Sequence, residues 1–344
     1  MRRDLLGLVW DRADLADLDP PARRLALRSL LTRRVVAGDL PPTVAALADE
    51  IDGYGRLTPL MEDAAVTDIL VNGPHEIWVE REGMLALTAL AFDDEAELLH
   101  LIDRLVSDCG GRVDTSRAVG DVRLPDNSRM HVVFPPLAPF GPIVSIRRFP
   151  SRSLDIDDLV GRGMLTAGEA SVLVDHVRSR RSLAIGGGTG SGKTTLLNAL
   201  LAVVPDDECI VTVEETPELR PAHPHCVSLV TRPPNLEGAG TVTLDELVRA
   251  ALRMRPDRIV VGEVRGPEAL AALTAMSTGH AGSLVTVHAS SLVGTWSRLV
   301  DLALESGRAD RAALEHWLRG AVDVLVYLER VGPARRVAAI GRPG

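Results

Sequence analysis

GGTGSGKT, Gly187 to Thr194, follows the apolar run Leu183-Ala184-Ile185 and leads straight into TTLLNALLAVV, whose leucines recur at helical spacing. A pattern G-x-x-x-x-G-K-[ST] between a strand and a helix reads as a phosphate-binding loop. Its glycines let backbone N–H groups turn inward around phosphate oxygens, and the helix N-terminus adds a favourable potential for an anion. By average residue usage the bare pattern arises in a chain of this length about once in a hundred cases, and the flanking strand and helix lower that further. Lys193 is the only lysine in the chain; arginine supplies every other side-chain cation. A compact ammonium on a flexible stem reaches between the β- and γ-phosphates, where a planar guanidinium is too bulky. Gly187, Gly188, Thr189, Gly190, Ser191, Gly192 and Lys193 are therefore expected to cradle phosphates. Thr194 is the expected Mg²⁺ ligand and Thr195 an α-phosphate contact. The competing reading is an ordinary glycine-rich turn carrying a surface lysine.

Working outward, segments of strand and then helix alternate from about residue 156 to the end of the SLVTVH segment and its helix. SLAIG, CIVTVE, CVSLV, RIVVGE and SLVTVH are the strands. Continuous Val/Ile/Leu strands between helices predict a parallel sheet covered on both faces, an α/β fold. Two strands end in acids, CIVTVEE at Glu214-Glu215 and RIVVGE at Glu263. Strand carboxyl ends line the ligand crevice of an open parallel sheet, so these carboxylates are candidates to hold Mg²⁺ or position a water. Each could instead be solvated or cap the next helix. His288 ends the strand LVTV and shares that rim, whereas His280 follows Thr278-Gly279. Thr243-x-x-Glu246 reads as a capping box, with Leu244, Leu247, Val248, Ala251 and Leu252 on one helical face and Pro256 as the stop. Arg253 and Arg255 at its end either complement the helix dipole or serve a subunit interface.

Upstream, residues 56–149 mix short apolar stretches with one helix near 93–108. That helix opens on Asp93-Asp94, buries Leu98, Leu101, Ile102, Leu105 and Val106, and stops at Gly110-Gly111; the region reads as a smaller α+β domain. Residues 1–55 show broken helical patterns and read as a short helical segment. PSRSLD, just before Ile156, reads as a linker. The expected division is thus 1–55, 56–149 and 150–344.

Composition narrows the function class. Of 344 residues, 46% are hydrophobic and 25% charged, which suits a globular protein, and no apolar run approaches a membrane span. The opening MRRDLLGLVWDRAD meets acids too early for a secretory signal, so a cytoplasmic location is expected. Cys109, Cys209 and Cys226 lack metal-ligand spacing and are expected to be buried free thiols. A net charge of -9 and only 3% aromatics argue against nucleic acid as a direct partner.

TVEETPEL (212–219), TRPPNLEGAGTVTLDELVRAALRMRPDRIVVGEVRG (231–266) and TGHAGSLVTVHASS (278–291) resemble the secretion ATPase superfamily, and more closely its CpaF/TadA branch of Tad (Flp) pilus assembly. TDILVNGPHEIWVEREG (67–83), LPDNSRMHVVFPP (124–136) and SIRRF (145–149) are similar to that family's N-terminal domain. The resemblance spans about residues 56–340. It implies a RecA-like C-terminal P-loop domain and a ring, a homo-hexamer, in which ATP with Mg²⁺ sits between the two domains. Such a ring drives an inner-membrane platform protein and is peripheral to the membrane through that partner. By the same resemblance Gly187–Thr194 is the Walker A motif, Glu214 the Asp-box glutamate and Mg²⁺ ligand, and Glu263 the Walker B glutamate. His280 and His288 form the His box, and Arg129 and Arg147 reach the γ-phosphate. The Asp box reads Glu214-Glu215 where the family has Glu-Asp, which leaves open which carboxylate faces the metal. A motor ATPase is the principal expectation; a nucleotide-gated structural or regulatory ring with little hydrolysis is the alternative.

Overall fold

The computed structural model describes residues 53–343, apart from 82, 115, 149–153, 233, 235–238, 309 and 333. The helical segment expected over 1–55 lies outside the described residues up to 52, as does most of the linker expected before Ile156. The chain divides into two compact units between residues 151 and 152.

In the first unit a short turn of helix, Gly55–Leu57, leads into α1 (Thr58–Glu62). Six strands follow: β1 (Val66–Asn72), β2 (Ile77–Arg81), β3 (Met84–Leu87), β4 (Val119–Arg123), β5 (Arg129–Val133) and β6 (Ile143–Arg147). They form one antiparallel sheet in the order β3-β2-β1-β6-β5-β4. α2 (Glu95–Asp108) is capped by Asp94, whose carboxylate accepts from Glu97 N at 2.8 Å. It buries Leu98, Leu101, Ile102, Leu105 and Val106, the five expected from spacing, against Ile69, Val79, Met130, Val132 and Ile146 of the sheet. Each such side chain removed from water stabilises the unit by about 1.5–3 kcal/mol. Strand alternation turns a different set to the opposite face. Arg123 lies opposite Arg129, and Arg129 opposite Arg147, which puts three arginines in register across β4, β5 and β6.

The second unit begins with α3 (Ile156–Gly161) and α4 (Ala167–Arg178), each opened by a capping box, Asp155/Asp158 and Thr166/Glu169. Then come β7 (Leu183–Gly187), α5 (Lys193–Leu201), β8 (Ile210–Glu214), β9 (Cys226–Val230), α6 (Leu244–Ala251), β10 (Arg258–Val264), α7 (Glu268–Ser277), β11 (Leu284–His288), α8 (Leu292–Leu304), α9 (Arg311–Arg319), β12 (Val324–Val331) and β13 (Ala334–Gly341). The seven-stranded sheet runs β13-β12-β7-β11-β10-β8-β9. All its pairs are parallel except β12–β13, which is antiparallel, so the sheet is mixed rather than purely parallel. Alternate residues of each strand feed two cores. Val211, Val213, Val261, Val285 and Val287 pack under α6 to α9, and Ile185, Ile210, Val260 and Val326 pack under α3 to α5. This is why β7 and β8 read as uninterrupted apolar runs. β9 departs from that expectation: it is an edge strand and only half-buried.

The Thr243/Glu246 capping box forms as expected, but α6 buries only Leu244, Val248 and Ala251 while Leu252 turns outward. Arg255, just after the helix and before Pro256, takes a left-handed conformation, φ 53°. All three cysteines are free thiols, yet only Cys209 is buried; Cys109 and Cys226 are half-buried. Among the described residues no helix is long and apolar enough to cross a membrane.

Candidate active site

The loop between β7 and α5 follows from its glycines. Gly192, the N-cap of α5, has φ 97°, which a side-chain-bearing residue resists. A Cβ on Gly187 would stand 2.5 Å from Ser191 Oγ and 2.7 Å from the Leu328 carbonyl, while one on Gly188 would meet nothing within 4 Å. The loop is therefore packed beneath and open above. Lys193 is 7% exposed, and its ammonium donates to the carbonyls of Gly187 and Gly188, both at 3.1 Å. Ser191 Oγ is buried without a hydrogen-bond partner. An open cradle holding a buried ammonium and an unsatisfied buried hydroxyl fits an anionic phosphate ligand.

Glu263 comes to the same place by an irregularity of β10. Between Val261 and Val264 the strand carries one residue more than the facing stretch Val285–Val287 of β11, a β-bulge of the kind that re-aims a side chain. Glu263 Oε1 lies 2.7 Å from His288 Nε2 and 3.8 Å from Lys193 Nζ. Its Oε2 accepts from Arg265 Nε at 2.8 Å. Burial and the nearby Lys193 charge hold His288 below its ordinary pKa, against the opposing pull of Glu263. A neutral His288 thus donates its Nε2–H to the carboxylate.

The other acids divide differently from the sequence expectation. Glu214 is buried, and its Oε1 accepts the backbone N–H groups of Glu218 and Leu219, both at 3.0 Å. It also packs where any side chain on Gly262 would stand, 2.8 Å from its Cγ. Glu215 is half-exposed and pairs with Arg265 at 3.1 Å. The carboxylate hydrogen-bonded to Thr194 is Glu218, through Thr194 Oγ1 at 3.3 Å. Asn198, one turn along α5, ties this loop down: its Nδ2 donates to Glu218 O at 3.3 Å and its Oδ1 accepts from Arg220 N at 2.8 Å. Glu218, Arg265 and Asn198 were absent from the sequence reading. The one available signal was that all lie within a few residues of the strand-end acids or the P-loop.

Lys193, Thr194, Glu214, Glu263 and His288 are thus brought together with the loop. His280 is not: it precedes β11, at the end of the strand opposite to His288, and its Nδ1 lies 3.2 Å from Ala275 O at the end of α7. Arg129 and Arg147 belong to the first unit. Arg129 is exposed and pairs with Asp121 at 3.1 Å, and Arg147 lies opposite Asp68.

Several known proteins are similar to this chain. The chain is 42% identical over 296 residues, 84% of each chain, to Rv3659c of Mycobacterium tuberculosis, a protein named for conjugal transfer. It is 34% identical over 305 residues to the conjugal transfer protein TrbB of Rhizobium radiobacter, covering 87% of this chain and 90% of that one. The X-ray structure of the Legionella pneumophila ATPase DotB superposes with a TM-score of 0.57 at 21% identity, over 84% of this chain and 79% of that chain, a likeness of fold. The model of the family described as type II/IV secretion system protein matches residues 50–327, and the chain belongs to that family.

Proposed function

We propose that the protein is an ATP-hydrolysing motor of a type II/IV secretion or pilus-assembly machine. Residues 150–344 form its RecA-like ATPase domain and 56–149 a nucleotide-clamping domain. It works as a homo-hexamer on the cytoplasmic side, reaching the membrane through an inner-membrane platform protein. Within the family we assign it to the Tad branch, on the resemblance carried by residues 212–219, 231–266 and 278–291. The observation that carries this reading is the Glu263 carboxylate, held by His288 and Arg265 within 3.8 Å of the P-loop ammonium; a protein that only binds nucleotide has no need of an oriented carboxylate there.

Lys193 exchanges its two loop carbonyls for phosphate oxygens, while the loop N–H groups and the start of α5 neutralise the remaining charge. Glu263, flanked by the Lys193 and Arg265 cations and oriented by the His288 N–H, accepts a hydrogen bond from the attacking water and aims it in line with the γ-phosphorus. Thr194 and the Glu214/Glu218 pair would hold Mg²⁺, which when bound offsets charge on the β- and γ-oxygens. His280, remote from these atoms within its own unit, is assigned to subunit communication.

Glu263→Gln separates binding from hydrolysis. It should bind Mg-ATP within a few-fold of wild type and turn it over about 10²–10⁴-fold more slowly, with Glu214→Gln as the control for the neighbouring acid. If both variants hydrolyse ATP normally, the nucleotide-gated regulatory ring becomes the better reading.

A further inference from the structure

Two arginines flank the P-loop on the side away from this chemistry. In the sheet order, β11 and β10, with His288 and Glu263, lie on one side of β7; β12 and β13 lie on the other. Arg330 of β12 and Arg335 of β13 face each other across the antiparallel ladder. They share a sheet face with Leu328 and Val337, which pack in the same core as Leu196, Leu197 and Leu200 of α5. Both reach the loop. A Cβ on Gly190 would be 3.2 Å from Arg330 Nη1, and one on Gly192 would be 3.5 Å from Arg335 Cδ. The approach is fixed from below, because Val337 N donates to Met164 O at 2.9 Å and the Met164 side chain fills the space under Gly192.

Like charges directly opposite in a ladder repel. The adjacent Arg336 meets its charge in the usual way, with Nε donating to Glu329 at 2.6 Å. Arg335 does not: its Nε is buried with no hydrogen-bond partner, a costly state for a charged donor. Beside a second cation pressed on a phosphate-binding loop, the buried Nε of Arg335 lacks an acceptor that an anion would supply.

Direction along the loop decides which part of the anion. Lys193 is aimed toward Glu263, so the terminal phosphate belongs on the β10–β11 side. The phosphates nearer the sugar then run back over Gly190 and Gly192, toward the β12–β13 hairpin. We infer that Arg330 and Arg335 clamp the α- and β-phosphates of the bound nucleotide from within the same chain. This rests on the ATP-site reading above.

Titration of the full chain with ADP and with a non-hydrolysable ATP analogue tests it. Arg335→Gln and Arg330→Gln should each weaken both nucleotides by about tenfold or more, as expected for a lost charge-assisted hydrogen bond, and leave the ATP:ADP affinity ratio unchanged. Arg335→Lys should retain part of the affinity, and Arg336→Gln should bind as wild type. Thermal unfolding without nucleotide verifies that each variant is folded. Should Arg335→Gln fail to fold, Arg330→Gln and Arg335→Lys carry the same readout. Unchanged ADP affinity in the folded variants, or a loss confined to the ATP analogue, would overturn the inference. Wild-type protein that binds neither nucleotide would instead overturn the ATP-site reading.

Discussion

Glu208→Ala should be the most destabilising change at the amino edge of the second sheet. Arg258, the first residue of β10, is fully buried and makes three bonds: Nε to Glu208 Oε2 at 2.7 Å, Nη2 to Glu208 Oε1 at 3.1 Å and Nη1 to Gly282 O at 3.1 Å. Truncating Glu208 removes two charge-assisted bonds and strands a guanidinium that water cannot reach. Arg180 also pairs with Glu208, at 3.0 Å, but is 46% exposed and rehydrates, so its share is under about 1 kcal/mol. Breaking one side of a buried pair costs about 3–5 kcal/mol, against a total stability on the order of 5–15 kcal/mol. Because that cost lies in the stranded charge rather than in the pair, Glu208→Leu combined with Arg258→Met should recover most of it. Urea titrations followed by circular dichroism measure the difference. A loss below about 1 kcal/mol for the single variant, or a double variant no more stable than Glu208→Ala, would refute the reasoning. The same pair sets an acid limit. Burial pushes the Glu208 carboxyl up, but bonds from Arg258 and Arg180 outweigh this and hold it below its ordinary 4.5. The pair's contribution is thus present above that pH and lost as pH falls below it, so wild-type stability should drop more steeply in acid than that of Glu208→Ala.

Lys193→Arg and Lys193→Ala should both cut ATP turnover by orders of magnitude with the fold intact, since the ammonium sits in a pocket with 3.1 Å contacts to two carbonyls; near-normal turnover in the arginine variant would contradict the steric argument. His288 should titrate below 6.5 by NMR, lower still in Glu263→Gln and higher in Lys193→Ala, because the carboxylate pulls its pKa up and the ammonium pushes it down. With its native pKa depressed, neutral His288 favours the fold above about 6.5, and that contribution fades as pH drops below it. Arg129→Ala and Arg147→Ala should leave ADP affinity nearly unchanged and weaken an ATP analogue by about 1.5–3 kcal/mol each; equal losses for both nucleotides would make these arginines structural.

Much of the site was legible because it rests on local chemistry. The P-loop needs glycine at fixed offsets, the buried parallel strands need continuous apolar runs, and α2 needs its five apolar residues on one side with Asp94 to cap it. What escaped depends on where the chain turns back on itself. Glu218 reaches Thr194 from an irregular loop with no periodicity to mark it. The bulge at Gly262-Glu263 depends on pairing with β11 rather than on any residue preference. His280 and His288, close in sequence, are separated by the length of a strand. The β12–β13 hairpin follows the last motif. Its run VLVYLERV carries the apolar content of a strand, but its place beside β7 is a matter of topology, and with it the approach of Arg330 and Arg335 to the loop.

The sole lysine gives the molecule an unusual chemical address. An amine-directed reagent finds one side-chain target in the chain, and that target is the buried ammonium on the floor of the P-loop. Acylation there removes the charge, so inactivation should track modification of that one side chain, and a ligand seated in the loop should slow both in parallel. Lysine-to-lysine crosslinkers, by contrast, have no second side chain within the chain to join, and between subunits of an assembly they would have to link one buried Lys193 to another; carboxylates or the half-buried Cys109 and Cys226 are better placed to report neighbouring subunits.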